Sequence, residues 1–187
     1  MGQYYYTVAT LPMLTFEAEH FPTVEEFFDL CSRRLSRRDF GLLEQAALVP
    51  DPLVTPRNRL VAEWYEREAA LRNELARQRA AQLNRDEHAY VRAAPDGGEY
   101  TGLAGISEVA REALGQDTPL KAEMVLLRHR WSVLEEMEVA HHFDIERLIV
   151  YYLKLQILWR KRHFDREEGT NVFERTYHTV RRAVSST

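Results

Sequence analysis

One segment, residues 143–169 (FDIERLIVYYLKLQILWRKRHFDREEG), constrains the fold more than any other. Asp144 is a helix N-cap residue, with Arg147 where a capping box would carry Glu, so the cap is partial. Ile145, Leu148, Ile149, Tyr152, Leu155, Gln156 and Trp159 then fall on one helical face. Val150, Tyr151, Leu153, Ile157 and Leu158 make the remaining faces apolar as well. A helix apolar nearly all round is buried among other helices. This segment is therefore expected to organise the fold, and it carries no obvious chemistry.

The chain has 187 residues, enough to bury a sizeable core without disulfide or metal staples. We read it as a single helical domain over 1–187, with 94–105 (APDGGEYTGLAG) as a flexible linker candidate. Twenty-five basic against 29 acidic residues give a net charge of −4, which does not point to nucleic acid. Cys31 is the only cysteine, so neither an internal disulfide nor a cysteine metal cluster can form, and a reducing cytoplasmic home fits. The first residues lack the basic and apolar regions of a signal peptide, and Tyr6 stands where a myristoylation motif needs Ser or Thr. The most apolar window is interrupted by Glu146, Arg147, Lys154 and Gln156 and is too short to span a bilayer, so no direct membrane insertion is expected.

Residues 4–10 are aromatic and β-branched, which favours a strand or extended N-terminus, the helical alternative staying open. Thr23-Val-Glu-Glu26 is a capping box opening a helix to Arg34, and Ser36 starts a second through about Leu48. Pro50, Pro52 and Pro56 then break the chain. Over 57–92, Leu60, Trp64, Leu71 and Leu75 form a narrow seam, and Glu63–Arg67 and Glu68–Arg72 are pairs in the favourable order. A helix of that span would be roughly 50 Å long, and with its far half reduced to alanines it is expected to project in part. Residues 106–114 read as a helix closed by Gly115. Thr118-Pro119 opens a long helix to about Ala140. A last helix is expected over 168–183. The fold class is thus all-α, a bundle of about seven helices.

Few residues offer chemistry. Glu138-Val-Ala-His141 matches half of a di-iron carboxylate motif, and i, i+3 side chains share a face. The second half is missing, so exposed polar residues at a helix end are the blander reading. The cluster Arg33, Arg34, Arg37, Arg38 reads first as charge at a helix end and second as a partner patch. Arg128-His129-Arg130 and Arg160-Lys161-Arg162-His163 read likewise, as solvated helix ends first and interaction patches second. No phosphate-binding loop, nucleophile elbow or His-Glu-x-x-His is present. Cys31 reads as a small core residue. Tyr4, Tyr5 and Tyr6 are core or contact residues, and alternation would set Tyr5 opposite the other two.

Two segments together, Gln3–Leu14 (QYYYTVATLPML) with Thr23–Cys31 (TVEEFFDLC), and 143–160 with Gly169, resemble a functionally uncharacterised bacterial family. The genes of that family lie among those for V/A-type rotary ATPase subunits. The second segment is also distantly similar to the all-helical V-type ATPase component lettered C (d in eukaryotes), which caps the membrane rotor and receives the central stalk. Here Leu153, Lys154, Leu155 and Gln156 follow Tyr152 in place of that component's acidic pattern. The resemblance implies a non-catalytic accessory, stalk or assembly component of such an ATPase, acting through protein contacts. Its partners would be ATPase subunits, with no cofactor, on the cytoplasmic side and held at the inner membrane only through the complex. Arg33, Arg34, Arg37, Arg38, Tyr4, Tyr5 and Tyr6 are the expected contacts. The alternative is a helical metal-binding enzyme using Glu138 and His141.

Overall fold

The computed structural model describes residues 2–51, 53–94, 97–98, 100 and 105–164. These form α1 (Gly2–Thr10), α2 (Val24–Ser32), α3 (Arg37–Glu44), α4 (Arg59–Gln82), a 3₁₀ turn at Glu87–Ala89, α5 (Ile106–Leu114), α6 (Pro119–Glu138) and α7 (145–164). No strand occurs among the described residues, and the fold is all-α. The helix expected over 168–183 lies outside them, as does most of the linker candidate 94–105. No helix among the described residues is long and apolar enough to cross a membrane.

The helix starts follow the local capping chemistry. The Thr23 hydroxyl accepts from the Glu26 N–H at 3.0 Å while the Glu26 carboxylate accepts from the Thr23 N–H at 2.8 Å. Ser36 caps α3 through the Asp39 N–H, Asn58 caps α4, Thr118 caps α6 ahead of Pro119, and Asp144 accepts from the Arg147 N–H at 2.9 Å.

α7 is the centrepiece. Leu148 to Val150, Leu153, Leu155, Ile157 and Leu158 are buried, packed with Phe27, Leu43, Trp64, Leu127 and Leu134 of α2, α3, α4 and α6. Its few polar groups fasten it to the surrounding chain. Gln156 accepts from the Leu48 N–H and donates to the Ala46 carbonyl, Trp159 donates to the Pro22 carbonyl, and Lys161 to the Phe16 carbonyl. These bonds satisfy backbone groups of the non-helical connections that wrap the helix.

Two expectations are corrected. The N-terminus is helical, not extended. Thr7 is fully buried, and the Tyr4 hydroxyl donates to Asp39 at 2.8 Å, so packing on α3 overrides the aromatic and β-branched preference. The long helix covers Arg59–Gln82 rather than 57–92, and it does not project. Asn84 adopts a left-handed φ of 51° and turns the chain back. The returning segment is held by buried Asn73, whose amide donates to the Arg92 carbonyl and whose oxygen accepts from the Arg92 N–H. The alanines are an interface: Ala70, Leu71 and Leu75 pack on Ile106, Ala110 and Ala113 of α5 and Leu126 of α6. Small residues on both sides let the helices approach closely and form a second core.

Candidate functional site

Ionisable groups that could do chemistry are largely tied to one another. Glu138, at the end of α6, is engaged by Lys154 and Arg147 of α7. Lys154 is 5% exposed and sits 5.1 Å from the Trp131 ring centroid, so its charge is met by a carboxylate and an aromatic face. Glu68 receives Arg130 in a bidentate pair, Glu123 receives Arg160, and Glu17 receives both Arg128 and Lys161. The two cations beside Glu17 hold its carboxyl below the usual range. Residues of the basic runs read as solvated helix ends therefore tie α6 and α7 to other helices and to the segment after α1, and Arg130 is buried.

Glu138 and His141 do not converge. His141 Nδ1 lies 2.7 Å from an Asp144 oxygen instead. His141, Asp144 and Glu146 do place one ligand-type atom each within 4.8 Å of one another. Yet Asp144 also caps α7, and Glu146 accepts from the Asn58 amide. The group stands at the N-terminal end of α7 beside Arg147, where the helix dipole and a guanidinium both oppose a cation.

A cavity of about 780 Å³ lies between the segment after α1 and helices α6 and α7. Leu11, Met13 and Phe16 form one wall, Trp131 another, and Arg147 and Lys154 the charged part. Glu138 pairs with both cations and offsets one of the two charges.

The expected contact residues separate into three groups. Tyr4 turns inward to Asp39, whereas Tyr5 and Tyr6 are exposed on the helical surface, so the alternation expected for a strand does not hold. Tyr5 packs at 4.8 Å between ring centroids on Phe143, from the α6–α7 corner, and at 5.6 Å on Tyr6. Tyr6 is 66% exposed and Phe143 50% exposed. The structure thus assembles an outward aromatic cluster from residues far apart in the chain. Arg34 underpins it, donating to the Tyr6 carbonyl at 3.0 Å, while Arg33 pairs with Asp29 on the same helix. Arg37 and Arg38 face elsewhere, onto a second cavity of about 480 Å³ shared with Arg57.

Sequence reasoning missed Phe143, Arg57 and the Lys154–Glu138–Arg147 cluster. Lys154 carried a usable signal, since a lysine inside an all-round apolar helix needs a buried partner. Phe143 and Arg57 carried none, because their neighbours come from remote segments.

The model of one family, described as "Protein of unknown function (DUF2764)", matches residues 53–183. No curated protein and no solved structure matches the chain.

Proposed function

The chain belongs to the DUF2764 family, and we propose that it is a non-catalytic accessory, stalk or assembly component of a bacterial V/A-type rotary ATPase. It works by being gripped by other proteins. The observation that carries the docking half of this reading is the Tyr5–Tyr6–Phe143 cluster. Exposed aromatics held in fixed mutual geometry are the side chains that anchor protein interfaces. The ion-pairing of Glu138 with Arg147 and Lys154 beside the larger cavity supports the non-catalytic half. The resemblance of the N-terminal and α7 segments to the ATPase-linked family supplies the machine.

Tagged protein expressed beside the intact ATPase is expected to co-purify with it at low salt. Tyr6→Asp and Phe143→Asp should abolish that association while leaving the melting temperature near that of wild type. Recovery of the wild-type protein alone, with intact complex present, would sink the ATPase reading.

A further inference from the structure

Three arginines, Arg37, Arg38 and Arg57, line one concavity beside α3. Arg33, Arg67, Arg72, Arg128, Arg130 and Arg160 each have a carboxylate partner. Arg37, Arg38 and Arg57 have none among the described residues. The acids of α3 do not answer them. Asp39 accepts from the Ser36 and Tyr4 hydroxyls, and Glu44 forms no ion pair among the described residues.

The concavity is lined by Arg37, Arg38, Gly41, Leu42, Gln45 and Arg57, and so runs the length of α3. Arg57 is fixed beside it because its N–H donates to the Gln45 side-chain oxygen at 3.1 Å. Gln45 is itself held by the Tyr65 hydroxyl, which donates to its carbonyl at 2.6 Å. Gly41 is the second observation. It lies inside a helix without a positive φ, and a Cβ built on it would meet nothing within 4 Å. Neither backbone conformation nor internal packing calls for glycine there, and glycine in a helix interior is unfavourable. What the missing side chain leaves is room at the floor of a cationic groove.

We propose that this groove receives an acidic segment of a partner protein, whose backbone passes over Gly41 and whose carboxylates pair with Arg37, Arg38 and Arg57. A lining that extends along the whole of α3 suits a peptide segment better than a single small anion, and guanidinium forks match carboxylates bidentately. This deepens the docking reading above and rests on it, but not on which machine supplies the segment.

The probe is a fluorescein-labelled ten-glutamate peptide, titrated against full-length protein by anisotropy, with a ten-lysine peptide as the sign control. Saturable binding of the acidic peptide alone is expected at about 50 mM salt, weakening as salt rises. Gly41→Leu, which blocks the floor without changing charge, and Arg57→Glu should each weaken it roughly tenfold or more, while Arg33→Glu stays within about twofold. Circular dichroism confirms that each variant is folded, and Arg57→Glu decides the matter if Gly41→Leu is not. Wild-type-like binding by both Gly41→Leu and Arg57→Glu, or no saturable binding at all, overturns the groove. Displacement of the peptide by millimolar pyrophosphate at equal affinity overturns it in favour of a small-anion site. Peptide binding by a wild-type protein that fails to co-purify with the ATPase upholds the groove and removes only the ATPase.

Discussion

Glu68 of α4 and Arg130 of α6 meet in a buried two-pronged ion pair, with Nε–Oε1 at 2.7 Å and Nη2–Oε2 at 3.1 Å. Glu68 follows Trp64 of the main core by one turn and precedes Leu71 and Leu75 of the second; Arg130 lies between Leu126 and Trp131 in the same way. The pair therefore joins the two cores. Removing one partner leaves a buried charge, and Glu68→Ala is expected to destabilise by about 3–5 kcal/mol. For a chain of this size that lowers the melting temperature by on the order of 10 °C. Glu68→Leu combined with Arg130→Met removes both charges and should recover most of the loss. Calorimetry on Glu68→Leu, Arg130→Met and the double variant measures the coupling directly.

That pair also shows where sequence reading stopped. Helix starts at Thr23, Ser36, Thr118 and Asp144, and the stop at Gly115, were legible because capping is chemistry between residues a few positions apart. The burial of α7 was legible because its apolar surface had no solvent face to offer. Arg130 read as helix-end charge because its partner lies 62 residues away. α4 was overextended because its stop is an asparagine, not a glycine, and its alanines looked exposed until α5 lay against them. For the candidate surface, Tyr5 and Tyr6 were legible as unusual aromatics. The Phe143 contact that makes them a cluster depends on how the α6–α7 corner returns to α1.

His129 gives the fold a pH dependence in the mildly acidic range. It is half-buried on α6, and burial lowers its pKa below the ordinary 6.5, with Arg130 and Arg67 acting in the same sense against the carboxylates of Glu68 and Glu136. The unfolded chain then takes up a proton near pH 6.5 that the folded chain refuses. Stability attributable to His129 is constant above about pH 7 and falls as pH drops through 6.5 toward the lowered folded value. Glu17 and Glu74 have depressed pKa values, so their stabilisation is present above 4.5 and is lost at more acidic pH. Urea melts of wild type and His129→Gln between pH 7.5 and 5.5 should diverge, the variant showing the flatter profile. Parallel profiles would remove His129 as the cause.

Cys31 is fully buried on α2, and its thiol is pushed up to about 12 by that burial. The neighbouring Tyr151 phenol is raised for the same reason. A thiol with so little thiolate at neutral pH is a poor nucleophile. Native protein is expected to react with a chromogenic disulfide reagent only at the rate of opening, and fully in denaturant. Immediate stoichiometric labelling of native protein would show that α2 opens far more readily than its packing implies.

Gly41 separates the demands of folding from those of the surface. Its φ is not in the left-handed region and a methyl group there meets no neighbour, so Gly41→Ala removes unfolded-chain entropy without straining the folded state. The substitution should stabilise the protein by about 0.4–1 kcal/mol, read as a rise in the urea midpoint at constant slope. The same change narrows the groove beneath Arg37, Arg38 and Arg57, so it should weaken the acidic peptide while strengthening the fold. A variant that lost no affinity would count against Gly41 as the floor of the groove, and one that gained no stability would mean that the helix there is held by contacts beyond those seen on α3. A variant that lost stability would mean that the glycine serves the fold itself.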